Sequence, residues 1–233
     1  VARLPDQARA IVDASAATLR IASTHALSFT FLPGWLRSLE SRLVVGPIQL
    51  MSDVMQQCEA LMLQGRAQFL LCHAHPQVPS RLDPASYLSV AVGHDDLIPL
   101  SAPDKTGQPQ HALGKPAKGP VPILAYSAES GIGRLVRALR GAALEGVRTQ
   151  PALTAHLATV LRTMVLDGRG IAWLPRSLVT DELAAGRLVE AGDAAWAIAV
   201  EIRLFRRRGA APPAAEAFSR AVVDAAPPGP DLP

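Results

Sequence analysis

Aromatic residues and cysteines are scarce in this chain, and long apolar runs are missing. Phe, Trp and Tyr together make up only 4% of the 233 residues, so a folded core must be built mainly from Leu, Val, Ile and Ala. Two cysteines, Cys58 and Cys72, are too few for a disulfide framework, which favours a reducing, cytoplasmic compartment. Because the sequence has no apolar run of membrane length and no signal-peptide layout near Val1, we expect no contact with membranes.

The overall composition is typical of a globular protein. Hydrophobic residues make up 49% of the sequence and charged residues 18%, which is not the composition of a disordered chain. The length allows one large core or two lobes of ordinary size. The net charge of +3 comes partly from the arginines at 206–208, which we interpret as a solvated strand end rather than a nucleic-acid surface. The proline-rich residues 226–233 are predicted to form a disordered tail.

The first 72 residues predict a β-α-β-α-β unit. Strands are expected at residues 19–23, 44–50 and 67–72, and helices at residues 31–43 and 53–64. This order specifies a doubly wound sheet with right-handed crossovers. Residues 1–17 have Ala and Ile at helical spacing, and we interpret them as the end of a helix that begins before Val1.

Two longer strands lead from this unit into a second α/β series. They are predicted at residues 87–92 and 96–101, before a polar, exposed loop at 103–122. In the second series, strands are expected at residues 122–126, 147–152, 170–174, 187–190 and 197–205. Helices are expected at residues 131–144, 157–167, 176–185 and 214–223. Two such series predict an α/β fold of two Rossmann-like lobes joined by hinge strands. Lobe I would comprise residues 18–99 and 200–225, and lobe II residues 100–199.

The ends of the predicted strands carry the candidate binding site. Ligands in open α/β sheets bind outside the carboxyl ends of the strands, at the point where the strand order reverses. The helix N-termini that follow add free N–H groups and partial positive charge, which suit a carboxylate or another oxyanion. The candidate ligand-binding residues are Ser23, Thr24, His25, Ser28, Cys72, His73, Leu100, Ser101, Tyr126, Ser127, Ser130, Thr154 and His156.

Several of these residues also have a purely structural explanation. Ser23, Thr24 and Ser127 are of the types that cap helices, and a cap can coexist with a ligand contact. His25 and His156 fit an exposed surface as well as they fit a binding site. Hydroxyl groups and imidazoles at strand ends therefore indicate where a ligand would bind without deciding which of them would touch it.

Metal, redox and catalytic chemistry receive little support from the sequence. His73 and His75 form an H-x-H pair, but no third ligand lies nearby in sequence. Cys72 at a strand end is more often a small core residue than a reactive thiol, although redox sensing stays open as an alternative. No G-x-S-x-G elbow, H-E-x-x-H helix, Walker loop or dinucleotide fingerprint is present. We therefore expect no catalysis, no metal and no cofactor.

One block of the sequence resembles a hallmark of LysR-type bacterial transcription regulators. Residues 164–175 read MVLDGRGIAWLP, and the matching positions after them are Leu178, Leu183, Gly186 and Leu188. In that family a helix ends in G-x-G-I-A, enters a strand, and turns at L-P into a helix that ends before G-x-L. Residues 19–23 and Leu32-Pro33 resemble the first strand and the helix start of the family, whereas Gln68 stands where Asp is usual. The resemblance covers residues 18–225 in order.

The resemblance implies an effector-sensing domain with the fold of a type 2 periplasmic binding protein. Such a domain binds a small-molecule effector, an anion being one option, in its central cleft. DNA would be bound only by a winged helix that precedes Val1 and is absent here, and residues 1–17 would end the linker helix. The resemblance also implies homodimers, and tetramers at full length, with the helix at 53–64 as the dimer surface.

Two further stretches resemble one subgroup of this family, and two alternative functions remain open. Residues 124–127 (LAYS) and 133–135 (GRL) are similar to the hypochlorite-responsive subgroup of these regulators, so a response to an oxidant is one option. A periplasmic solute-binding protein of a transporter has the same predicted fold and is the main alternative. A small-molecule enzyme on this scaffold is the second alternative. A signal peptide upstream would support transport, and turnover on a metabolite panel would support an enzyme.

Overall fold

The computed structural model describes residues 18–40, 46–114 and 119–226. The strands are β1 (Leu19–Thr24), β2 (Ile48–Asp53), β3 (Phe69–Ala74), β4 (Tyr87–Ser101), β5 (Val121–Tyr126), β6 (Thr149–Ala155), β7 (Ala172–Pro175), β8 (Val189–Glu190) and β9 (Ile198–Arg207). The α-helices are α1 (His25–Thr30), α2 (Leu32–Leu39), α3 (Met55–Leu63), α4 (Gly131–Glu145), α5 (Ala158–Leu166), α6 (Thr180–Ala184) and α7 (Pro213–Ala225). Short 3-10 turns at Arg176–Leu178 and Ala194–Trp196 complete the described elements.

Two strands carry the sheet from one half of the molecule to the other. In the described part of the chain, a seven-stranded sheet has the order β2-β1-β3-β9-β4-β7, and β8 also pairs with β4. Strand β1 is parallel to β2 and β3, whereas β9 is antiparallel to both β3 and β4. Strands β5 and β6 form a parallel pair, which an isolated bridge between Ile123 and Ile171 connects to the chain entering β7.

We name the two halves by these elements. Lobe I is built from β1–β3, α1–α3 and α7, and lobe II from β5–β8 and α4–α6. Strands β4 and β9 pair along most of their lengths and run through both halves, as expected of hinge strands. The fold class predicted from the sequence is therefore confirmed, whereas the boundaries at residues 99/100 and 199/200 stay a prediction because the hinge strands have no break there.

Each lobe has its own hydrophobic core. The core of lobe II lies between its sheet and helices α4 and α5, and includes the buried Leu161 and Trp173. Lobe I buries both faces of its sheet: one face packs on α1, α2 and α7, with Phe69 edge-on to Phe218 at 5.0 Å, and the other face packs on α3. Ala26 of α1 packs into the core of lobe II, so the lobes touch at this helix.

The structure differs from the predicted elements in several details, of which three affect the hinge or the site. The strands expected at 87–92 and 96–101 are one continuous strand, because a shift of register between Ala91 and Gly93 absorbs the irregular stretch between them. Helix α3 begins at Met55 instead of residue 53, since β2 extends to Asp53 and includes Ser52. Helix α1 was not predicted at all. The helix expected at 1–17, and all of the tail expected at 226–233 except Ala226, lie outside the described residues.

Candidate functional site

Helices from both lobes begin at one small cavity. Among the described residues, the first turns of α1 and α3 in lobe I and of α4 and α5 in lobe II meet around a volume of about 30 Å³. The residues that line it are Thr24, His25, Ala26, Asp53, Val54, Met55, His73, Ser130, Gly131, Ile132, His156 and Ala158. We call this the interlobe cavity. Its volume has room for roughly one or two water-sized particles.

The backbone at the interlobe cavity favours negative charge. The first N–H groups of a helix have no acceptor inside the helix, and they carry the positive end of the helix dipole. Helix α4, of 15 residues, is capped by the Ser130 hydroxyl, which accepts a hydrogen bond from the Gly133 N–H at 3.2 Å. At α3 the Asp53 carboxylate already accepts from the Val54 N–H at 2.7 Å. The Ser130 cap takes only the Gly133 N–H of α4, so the Gly131 and Ile132 N–H groups remain for a ligand, as do the first N–H groups of α1 and α5.

Side chains of both lobes face each other across the interlobe cavity. The rings of His25 in lobe I and His156 in lobe II lie 6.4 Å apart between centroids. The His25 Nδ1 is 3.1 Å from the Ser52 hydroxyl, which also accepts a hydrogen bond from Ser28 at 2.8 Å. The Thr24 hydroxyl oxygen is buried and makes no hydrogen bond with the described residues. An unused donor thus lies in the wall of a cavity that helix termini make attractive to anions.

The lobes touch directly beside this cavity. The Gln56 N–H in the first turn of α3 donates to the Glu129 carbonyl oxygen of lobe II at 3.3 Å. Met55 packs so closely on Gly131 that a Cβ added at Gly131 would lie 3.0 Å from the Met55 Cβ. The arrangement is therefore a closed one, and Gly131 allows the close approach of α4 to α3.

A buried ion pair joins the same two helices. The Arg134 guanidinium of α4 donates two hydrogen bonds to the Glu59 carboxylate of α3, at 2.8 and 2.9 Å. The Glu59 side chain is 1% exposed and the Arg134 side chain 24% exposed. This pair raises the pKa of Arg134, because the carboxylate stabilises the charged guanidinium. It connects lobe I to lobe II with two charge-assisted hydrogen bonds.

A second polar cluster connects the lobes at the hinge. Asp95 of β4 accepts hydrogen bonds from the hydroxyl and the backbone N–H of Ser177 in lobe II, at 2.6 and 3.2 Å. Its carboxylate also lies 3.5 Å from the Nε2 of His73, which lines the interlobe cavity. Burial acts to raise the pKa of Asp95, but the nearby His73 imidazole and the hydrogen bonds from Ser177 outweigh it and lower the pKa below its usual value.

Comparison with known proteins assigns this architecture to a family. A family model described as the LysR substrate binding domain matches residues 13–227, which is most of the chain. The chain belongs to this family. Its LysR substrate binding domain is the effector-binding domain of LysR-type transcription regulators, as the sequence predicted, and the family consists of regulator domains rather than enzymes.

Two curated relatives match part of this LysR domain. The HTH-type transcriptional regulator YjiE of Escherichia coli (strain K12) is 28% identical over 136 residues, which cover 58% of this chain and 44% of YjiE. The HTH domain-truncated transcriptional regulator QseD of Escherichia coli O157:H7 is 28% identical over 136 residues and is covered to 54%. The matched region thus spans about half the length of either relative.

Solved structures share the fold of the LysR domain. The regulatory domain of HypT from Salmonella typhimurium superposes in its apo form with a TM-score of 0.74 and 22% identity, over 89% of this chain and 94% of that chain. The bromide-bound form of the same regulatory domain gives a TM-score of 0.72 with the same identity and coverage. At this identity the likeness establishes the fold.

The LysR domain brings together some of the predicted site residues and not others. Of the predicted site residues, those that line the interlobe cavity are Thr24, His25, His73, Ser130 and His156. Ser23 is fully buried and does not line the cavity, and Ser28 is also outside the lining, where its hydroxyl bonds to Ser52 and to the Thr24 carbonyl oxygen. Ser127 is half-buried outside the lining, and Thr154 is exposed on β6.

Three other predicted residues lie in the core of lobe II instead of the site. Leu100 is fully buried in the hydrophobic cluster, and the Ser101 hydroxyl donates to the Ala102 carbonyl oxygen at 3.0 Å. The Tyr126 hydroxyl donates to the Trp173 carbonyl oxygen at 3.0 Å, and burial raises its pKa above the usual value. Leu100 and Ser101 lie beyond Asp95 in β4, inside lobe II, and Tyr126 belongs to the same hydrophobic cluster as Leu100.

The cysteines are buried thiols. Cys72 is 1% exposed and Cys58 fully buried, and neither forms a disulfide. Burial raises the pKa of Cys58 to about 12 and that of Cys72 still further. Cys72 lies outside the interlobe cavity, in a neighbouring one. A protonated, inaccessible thiol is a poor nucleophile, so the geometry gives no support to the redox alternative for Cys72.

Two further observations concern metals and membranes. Among the described residues, no group of three or more His, Cys, Asp and Glu side chains could hold a metal ion, so His73 and His75 find no third ligand there. Within the same ranges, none of the helices has both the length and the apolar character needed to cross a bilayer.

Proposed function

We propose that this LysR domain senses a small anion that binds in the interlobe cavity. The observation that carries the proposal is the convergence of helix N-termini from both lobes on a volume of about 30 Å³. Such a site stabilises negative charge with backbone N–H groups. The Asp53 carboxylate already neutralises one terminus, so a single charge is favoured over a higher one. A halide or a hypohalite has the required charge and size.

The bromide-bound regulatory domain of HypT supports this choice at the level of the fold. A protein with the same architecture holds a monatomic anion, and the LysR domain described here has a cavity of suitable volume. The full-length structure of HypT is described as a hypochlorite-specific LysR-type regulator. The hypochlorite-responsive subgroup therefore remains our proposal for this chain, with the halide as the simplest probe of its site.

The proposed mechanism is a shift of population between open and closed lobes. An anion that contacts both lobes binds the closed form more tightly and increases its share. A tenfold preference corresponds to about 1.4 kcal/mol, or one to two hydrogen bonds gained on closure. The change would pass through a dimer contact, for which the helix predicted at 53–64 is our candidate, to a winged helix preceding this chain and its DNA.

The experiment is a bromide titration of this chain, followed by the thermal unfolding midpoint. Ionic strength is held constant with gluconate, which is too large for the cavity. Bromide should raise the midpoint, because a ligand that binds only the folded state stabilises it. Thr24→Val removes the unused hydroxyl and should lower the affinity for bromide about tenfold. The control is Thr30→Val, whose hydroxyl bonds to the Ala26 carbonyl on the same helix and does not itself line the cavity. An absent bromide response, or an equal response in Thr24→Val, would contradict the proposal.

The alternatives receive less support. A periplasmic solute-binding protein shares the fold, but the family match is to a regulator domain. We propose that the chain is cytoplasmic, acts as a homodimer and has no catalytic activity. A metabolite panel that showed turnover lost in Ser127→Ala would favour an enzyme instead.

A further inference from the structure

A second and larger cavity lies directly behind the interlobe cavity. Its volume is about 490 Å³, whereas the interlobe cavity has about 30 Å³. Sites for small organic molecules commonly fall between roughly 300 and 1,000 Å³. Met55, His73 and Gly131 line both cavities and form the wall between them. We call the larger one the rear chamber.

Both lobes contribute to the rear chamber. Lobe I provides β3 and the loop between β3 and β4, and the hinge strand β9 adds Glu201, Arg203 and Phe205. Lobe II provides the first turns of α4, with Arg134 and Leu135. A molecule in this chamber would touch the Arg134 guanidinium, which is bonded to Glu59 across the lobes. Its binding would therefore affect the same equilibrium between open and closed lobes as binding of the anion.

The chemistry of the lining decides the class of ligand. The floor is apolar: Leu82 is 2% exposed, Phe205 8% and Cys72 1%. Both guanidiniums are already bonded to carboxylates, Arg134 to Glu59 and Arg203 to Glu201 at 2.6 Å. A charged ligand would have to replace one of these partners, whereas an uncharged one would not.

We propose that the rear chamber is a second ligand site, which binds an uncharged organic molecule with a ring-sized apolar body. The proposal does not depend on which anion occupies the interlobe cavity. Because both sites share wall residues and both touch the two lobes, occupancy of the chamber stabilises the closed form as the anion does.

The test uses N-phenyl-1-naphthylamine, an uncharged dye that fluoresces in apolar surroundings. The dye should bind this chain saturably. Ala74→Trp and Val78→Trp, which fill the chamber from β3 and from the loop after it, should each weaken binding at least tenfold. Ser219→Trp is the control, because it fills a separate apolar groove between α7 and the sheet of lobe I. Circular dichroism establishes that each variant is folded.

The class of ligand is tested by competition. The uncharged 1-naphthol should displace the dye, and 1-naphthoate, of similar size but negatively charged, should displace it at least tenfold less well. Absence of saturable binding, full binding in a folded Ala74→Trp or Val78→Trp variant, or loss of binding in Ser219→Trp would overturn the chamber as the site. Equal or stronger displacement by 1-naphthoate would overturn the choice of an uncharged ligand.

Discussion

Asp95, on the hinge strand β4, contacts residues of both lobes. Its carboxylate, 3% exposed, lies between His73 of lobe I and Ser177 of lobe II. A carboxyl whose pKa is lowered by folding stabilises the fold above its ordinary value of about 4, and this contribution is lost as the pH falls through the lowered pKa. The hydrogen bonds that lower the pKa of Asp95 therefore stabilise the closed hinge at neutral pH and cease to do so in acid.

Removal of the Ser177 hydroxyl should destabilise the domain in a pH-dependent manner. In Ser177→Ala the pKa of Asp95 rises towards its ordinary value, and about 1.5–3 kcal/mol of stability is lost at pH 7. The difference from the wild type should shrink as the pH falls from about 4 through the lowered pKa of the wild type, below which Asp95 is protonated in both proteins. Urea unfolding at pH 7, 5 and 3 measures it. Thr180→Ala is the control, because its hydroxyl bonds to the Arg176 carbonyl and no carboxylate is involved. An equal loss at all three pH values in Ser177→Ala would refute this account.

The residues of the site differ in how far the sequence could predict them. Thr24, His25 and Ser130 directly follow or precede a strand or helix end, and their positions follow from the strand pattern. Glu59 and Arg134 are 75 residues apart, and each alone is indistinguishable from a charged residue on a helix surface. Their pairing requires contact between the two lobes, and a local sequence pattern contains no information about such a contact.

At the scale of elements, helices α3 and α4 hold the lobes together. Glu59 and Arg134 project from them and form two short hydrogen bonds in a buried setting. The removal of one partner from a buried pair costs about 3–5 kcal/mol, because the remaining charge stays without compensation. Exposed pairs contribute little, since water already solvates both charges. The pair between α3 and α4 should therefore matter more than the surface pairs.

A double-mutant cycle on this pair should show strong coupling. We expect a coupling energy above about 1.5 kcal/mol between Glu59→Gln and Arg134→Gln, measured by urea unfolding. The matched control is Arg176 with Glu190, a pair of 3.0 Å whose side chains are 45% and 43% exposed. The double-mutant cycle on this exposed pair should give a coupling energy below about 1 kcal/mol. Similar coupling in the two cycles would show that the α3–α4 pair does not act as a lobe contact.

Elements were predictable where their patterns are long. Helix α4 is expected at 131–144 and observed at Gly131–Glu145, because its apolar stripe extends over four turns and Ser130 caps it. Helix α1 has six residues and no side-chain cap, so neither periodicity nor a start pattern marked it. The first turn of this helix nevertheless lines the interlobe cavity. A short helix that the sequence pattern did not indicate thus contributes directly to the site.

At the scale of the whole molecule, effector affinity and lobe closure are one equilibrium. A ligand that needs both lobes binds with an apparent affinity reduced by the fraction of molecules that are closed. Gly131 sets that fraction in part, because its missing side chain lets α4 approach Met55. Gly141 lies in the same helix, and a Cβ there would have nothing within 4 Å. A comparison of substitutions at the two glycines therefore distinguishes an effect on lobe closure from an effect on the helix propensity of α4.

Gly131→Ala should open the lobes, and Gly141→Ala should not. Both substitutions favour the helix by roughly 0.5–1 kcal/mol. In Gly131→Ala the new Cβ would lie 3.0 Å from the Met55 Cβ, so the closed form must adjust at a cost of about 1–3 kcal/mol. Bromide affinity should consequently fall about five- to a hundredfold, and the radius of gyration from X-ray scattering should rise and recover at saturating bromide. Gly141→Ala should keep both wild-type values and unfold at a higher temperature. If Gly131→Ala weakened bromide without enlarging the molecule, Gly131 would act as a contact to the anion alone, and affinity would be independent of closure.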